Sequence, residues 1–245
     1  MQVDTVGVEY NIDRGEIILE EVGRMFFAYT EASRQALVGL RDLAMLKWYV
    51  VPLLLVVAYI FTKEIKESRA TANWDPILAV LVLLGCDFFN ETWNGWVFHL
   101  SERSAVWTTP GDTAYRVLVG WNIEIILGFA LFGLVYYHSL LPDRERKILG
   151  LPNRWFFAVF FAVLAVIIEV ILNQGGHLVW EYSWWKFTVG GIWIIYLLGY
   201  FYWFAFINIM LNMKTMKNKL TFVGVIYAVP IFLNVLALGI LGWRY

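Results

Sequence analysis

The chain has 245 residues, 60% of them hydrophobic and 18% aromatic, with a net charge of −1. Soluble domains are about 45–50% apolar, so this is the composition of an integral membrane protein, and the near-zero charge leaves no basic face for nucleic acid. A lone cysteine, Cys86, excludes an internal disulfide and any cysteine-based structural zinc site.

Residues 1–15 are polar and show no periodicity. From Glu16 to Ala44 the apolar residues Ile18, Val22, Met25, Tyr29, Ala32, Ala36, Leu40 and Leu43 recur every three or four positions, with charged residues between them. That pattern predicts an amphipathic helix over 16–44, lying along the membrane interface or packed on a protein partner. The first apolar run begins only near residue 46, too late for a cleavable secretory signal. Six runs then reach the length of about 20 residues that a hydrocarbon core of roughly 30 Å requires. They cover about 46–62, 76–98, 114–138, 155–174, 187–211 and 220–243. The expected fold is an all-α integral membrane protein, six transmembrane helices preceded by an amphipathic interfacial helix. Residues 1–45 form the N-terminal segment and 46–245 the transmembrane domain.

Turn signals refine these bounds. Asp75-Pro76 reads as cap and first-turn proline of the second span, and Thr109-Pro110-Gly111-Asp112 as a turn that delivers Asp112 as the cap of the third. Sidedness follows from the loops. Those after spans one, three and five carry Lys63, Lys66, Arg69, Arg144, Arg146, Lys147, Arg154, Lys214, Lys217 and Lys219. The other two offer only Arg103, Arg116 and Lys186. The positive-inside rule places the first group in the cytoplasm and both termini outside, although the arginines of the N-terminal segment pull the other way.

The second span ends in CDFFNETWNGWVFHL, unusually polar for lipid. Asp87, Asn90, Glu91 and Asn94 are spaced i, i+3, i+4, i+7 and so share one helical face. The fourth span, running in the same direction, brings Glu169, Asn173 and His177 to a matching depth, with Gly175-Gly176 placed to unwind the helix and re-aim His177. The third brings Asn122 and Glu124, which point to nearly opposite sides; Glu124 shares its face with Gly120 and Gly128, small residues that permit close helix approach. The last two add Tyr196, Tyr200, Trp203, Tyr227 and Asn234, with Pro230 as a kink. Ionisable groups in a membrane cost roughly 2.5–3.5 kcal/mol each on insertion scales and face a bundle interior or cavity. The expected site is therefore a polar chamber in the outer leaflet. Glu91, Glu169, Asp87 and His177 are its candidate catalytic residues. Asn90, Asn94, Asn122, Asn173, Trp93, Tyr196, Tyr200 and Trp203 are its candidate substrate contacts, the asparagines doubling as interhelical hydrogen bonders.

No GxSxG, HExxH, P-loop or dinucleotide fingerprint occurs, and no aspartate-rich diphosphate motif. No cofactor is expected; the weaker alternative is a single metal at His99 or His177 with Glu91, Glu169 or Glu181 as carboxylate partners. Most of the 13 tryptophans, Trp180 and Trp185 among them, fall at span ends and fit an interfacial belt. The NETWNG segment, Asn90 to Gly95, resembles the asparagine, tryptophan and glutamate cluster of small polytopic terpene cyclases. The likeness covers these residues alone, and the last span lacks the second acid such cyclases carry.

The leading functional reading is an enzyme acting on an apolar lipid or isoprenoid by carboxylate acid/base chemistry: cyclisation, isomerisation or hydration. An accessory subunit binding a lipid, quinone or pigment, docked through the 16–44 helix, ranks second. A proton-coupled transporter ranks third, since no internal repeat is visible.

Overall fold

The computed structural model describes residues 28–245. The first 12 residues of the expected 16–44 helix therefore lie outside the described residues. Over the remainder the helix is short: α1 spans Glu31–Leu37, capped by the Thr30 side chain. It stops because Gly39 and Arg41 adopt positive φ, 68° and 55°, which a continuing helix cannot accommodate. Rather than lying free, its buried face (Ala36, Leu37) and the following Leu40 join Phe98, Ala105, Leu118, Val119, Ala237 and Tyr245 in a small core at one end of the bundle.

Six longer helices follow: α2 (Val50–Thr71), α3 (Asp75–Ser101), α4 (Ile123–Ser139), α5 (Asn153–Gln174), α6 (Val189–Asn212) and α7 (Met216–Ile240). Of these, α3, α5, α6 and α7 are long and apolar enough to cross a membrane. Charges from Lys63 to Arg69 occupy the second half of α2. The 17 residues of α4 reach about 25 Å at 1.5 Å each. A third span starting near 114 is corrected by the structure. Arg116–Leu118 (β2) and Trp121–Asn122 (β3) pair as a hairpin, and the helix begins only at Ile123. Its cap is the Asn122 side chain, which accepts from the Ile125 amide at 2.9 Å, while Asp112 lies outside any helix and pairs with Lys47.

α3 is the central post, packed by α4, α7, α6 and α2. Close approach to α4 and α7 depends on Gly133, set against the Val80 backbone, and on Gly85, set against Ile226 and Tyr227. Gly120 and Gly128, expected to serve this purpose, do not. The first sits in the hairpin and the second faces open space. α5 leans on α6 and only lightly on α4. Its Phe160, Val163, Ile167 and Ile171 point outward while Ala158, Phe161, Ala162 and Ala165 are buried, the pattern of a helix solvated by lipid on one side.

At the end where α3 finishes, the connections form a cap. Trp107–Thr108 (β1) pairs with Val179–Trp180 (β6), clipping the segment after α3 to the segment after α5. Arg116, 5% exposed, donates to the carbonyls of Gln35, Ala36, Val38, Thr109 and Gly111 at 2.6–3.3 Å. One guanidinium thus closes the C-terminal end of α1 and fixes the loop before β2. Burial pulls its pKa below the usual arginine range, opposed by the nearby charges of Glu124 and Asp112. At the opposite end Lys147–Ile148 (β4) and Leu151–Pro152 (β5) make a small hairpin, and Lys219 pairs with Asp75.

Candidate active site

The half of the bundle nearest the α3 start is solid, filled by Leu78, Leu83, Tyr136, Phe161, Phe204 and Ile207. The half beneath the cap is hollow. A cavity of about 460 Å³ lies between α3, α4, α5 and α6 and is roofed by the cap loops. Asp87 and Glu91 of α3 and Glu169 of α5 all line it, each 3–4% exposed. Glu91 lies within electrostatic reach of both other carboxyls.

Each carboxyl is held by an indole. The N–H of Trp121 donates to Asp87 Oδ2 at 2.7 Å, that of Trp107 to Glu91 Oε1 at 2.7 Å and that of Trp180 to Glu169 Oε1 at 2.8 Å. Trp107 and Trp180 are direct partners in the β1–β6 clip, so their side chains leave the same face of the ribbon. The clip thereby positions acids from two separate helices. Glu91 Oε2 is buried beside the Asn94 amide, and Gly120 leaves room for both: a Cβ there would stand 2.5 Å from that oxygen and 2.7 Å from Asn94 Nδ2. The Tyr200 hydroxyl interacts with Glu169. The indole of Trp185 lies beside the same carboxyl, and that of Trp203 beside the Tyr202 hydroxyl.

Aromatic rings surround these groups. Trp107 stacks on Trp185 at 5.0 Å between centroids, and Trp203 meets Phe129 at 5.1 Å and Tyr200 at 4.9 Å. Among the described residues, no lysine or arginine lines the cavity.

The structure brings Asp87, Glu91, Glu169, His177, Asn90, Asn122, Tyr200 and Trp203 to the cavity wall. Several act there as framework. Asn90 donates to Gly199 O at 3.1 Å and accepts from Tyr202 and Trp93. Residues 195–201 of α6 form a π-helical turn, and Asn90 meets the carbonyls of this irregular turn, which carries Tyr200 to the cavity. Asn122 is occupied as the α4 cap. Asn94 lies outside the wall and anchors the cap: its Oδ1 accepts from the amides of Val106 and Trp107, and its Nδ2 donates to Trp107 O. Asn173 closes the turn after α5 by donating to Leu178 O, and there Gly176 takes a positive φ and leaves His177 exposed at the cavity rim. Trp93 packs behind Trp107, and Tyr196 stacks on Phe201. Tyr227 and Asn234 lie off the cavity, the latter donating to Thr92.

His99 stacks on Trp243, and Glu181 accepts from the Thr30 hydroxyl, so neither meets the chamber carboxyls. Among the described residues no three histidine, cysteine or acidic side chains are grouped as a metal site requires. Glu124 also reaches the wall, but Tyr49, Thr113 and the Ala114 amide all donate to it. Sequence reasoning missed Trp107 altogether and assigned Trp180 and Trp185 to an interfacial belt. The available signal was a surplus of tryptophan in the segments following the two acid-bearing helices.

Fold and site together define a multi-pass helical membrane protein with a buried acidic chamber. The chain belongs to an uncharacterized membrane protein family, whose sequence pattern matches residues 30–239. A similar chain, an "uncharacterized protein" of Archaeoglobus fulgidus, is 38% identical over 214 residues, covering 87% of this chain and 99% of the relative. No solved structure matches.

Proposed function

We propose that the protein is a membrane-integral enzyme that protonates an apolar lipid or isoprenoid, with Glu91 as the acid and Glu169 or Asp87 as the base. The observation that carries this reading is the convergence of three buried carboxyls on one aromatic-walled cavity. Among the described residues no lysine or arginine stands in the chamber to pair with these carboxyls, and a carboxyl in so dry a space is suited to the part of general acid. The Glu91 proton goes to one carbon of an alkene, whose π pair forms the C–H bond and leaves a cation on the other carbon. Trp203, Phe129 and Tyr200 stabilise that cation through their ring faces. In isomerisation or cyclisation, an adjacent C–H then gives its proton to Glu169 or Asp87, and its electron pair becomes the new C=C. In hydration, water adds to the cation instead and the resulting oxonium gives its extra proton to Glu169 or Asp87. No oxidant or reductant is consumed.

The proposed topology has six crossings, α2 and α4 joining the four long apolar helices, with the ends near Asp75, Arg146 and Lys214 in the cytoplasm and the cap outside because the basic loops gather at the former. The test is incubation in D2O of membranes from cells producing the wild-type protein or Glu91→Gln, grown in ordinary water, followed by mass spectrometry of the apolar lipids. The expected result is a lipid present only with the wild type and carrying one carbon-bound deuteron from solvent. Identical lipid profiles from the two strains would overturn the reading.

A further inference from the structure

The chamber meets the protein surface at two rims of opposite chemistry. One, beneath the cap, is polar: Asp112 and His177 are exposed there, with Thr109, Asn122 and Glu124 behind them. The other lies between α4 and α5, along the cap-side halves of both helices. Ile125, Gly128 and Phe132 line it from α4 and Ala165, Ile168 and Leu172 from α5. Gly128 is exposed and a Cβ there would touch nothing within 4 Å, and Ile168 is 44% exposed. The two helices meet where Phe132 and Tyr136 pack on Phe161, and among the described residues no side chain fills the gap at Gly128. In a bilayer this rim faces hydrocarbon, where water has no access and an alkyl chain does.

We infer that the gap between α4 and α5 is a lateral portal through which a single-chain apolar lipid passes from the bilayer to Glu91, while the polar rim under the cap admits water and protons. The ligand class deepens the reading of the chamber as lipid-handling and rests on it. A cavity of about 460 Å³ is of the size that takes one small-molecule ligand, with room for one chain bearing a small or absent headgroup. An entirely apolar lateral rim would also exclude a charged headgroup from that route.

The experiment is photolabelling in reconstituted vesicles with a bilayer-dissolved isoprenoid alcohol bearing a diazirine, mapped by peptide mass spectrometry. Labels are expected on the chamber segments around Glu91 and Glu169 as well as on lipid-facing Leu55 and Tyr59 of α2, both exposed. Gly128→Trp should cut the chamber labels by about an order of magnitude by closing the route, with the α2 labels unchanged as the internal control for folding. Ile168→Trp, on the opposite rim, should do the same and serves if the first variant does not fold. Chamber labels that persist in both plugged variants overturn the portal, and α2 labels without chamber labels in the wild type overturn the ligand class. Labelling needs no turnover. A portal that passes this test beside a Glu91→Gln strain with an unchanged lipid profile would refute the enzyme reading alone.

Discussion

Gly120 and Gly128 are eight residues apart and have opposite tolerances. A methyl group at Gly120 would collide with Glu91 Oε2, Asn94 Nδ2 and Trp107 Cδ1. The Asn94 amide and the Trp107 indole are tied by hydrogen bonds, so little can yield. Gly120→Ala is expected to cost about 1–3 kcal/mol, seen as a lower melting temperature in detergent, while Gly128→Ala should be neutral. Trp107→Phe keeps the ring but removes the donor to Glu91 Oε1. Leaving a buried acceptor unpaired should cost about 1–3 kcal/mol. If the indole only filled space, the same loss would appear when Trp107→Phe is made in a Glu91→Leu background.

At the scale of elements, the cap depends on a few long-range polar ties. Arg116 joins α1 to the loop over the chamber through five carbonyls. Arg116→Met should lower the melting temperature strongly, and Arg116→Lys should recover little, because an ammonium cannot span a fork of five acceptors. These ties also mark where sequence reasoning loses its grip. Asp87, Asn90 and Glu91 are legible as one wall because the 3.6-residue period converts spacing directly into direction. Glu169 is legible because helix rise converts position into depth. The cap offers no such conversion. Its strands are two or three residues long, too short to show alternation, and the pairing of Trp107 with Trp180 joins positions 73 apart in the sequence. The hydropathy of 114–122 matched a span while its backbone made a hairpin, for the same reason: apolar content alone does not distinguish buried strand from buried helix.

The whole molecule is packed solid at one end and hollow at the other. Basic residues collect at the solid end, where Arg144, Arg146, Lys147 and Lys214 lie on the loops between α4 and α5 and between α6 and α7, and Lys217 in the first turn of α7. With that end in the cytoplasm, in a Cys86→Ala background, a membrane-impermeant maleimide added outside intact cells is expected to label Asp112→Cys and not Arg146→Cys. The reverse result would invert the orientation and put the polar rim in the cytoplasm. Either outcome leaves the chamber's depth relative to the cap unchanged.

The β1–β6 clip works as a caliper across the chamber. It is anchored on the two acid-bearing helices by the short stretches after Ser101 and Gln174, and the length of each stretch sets how far the two indoles reach. One residue inserted between Glu102 and Ala105, or between Gly175 and Leu178, would slip the register and turn the indoles of the clip to the other face. Glu91 and Glu169 would then lose their donors together. An insertion of the same size between Arg144 and Lys147 at the solid end should leave both acids in place. The reach of the acids is thus written in the length of two loops that never touch the reacting atoms.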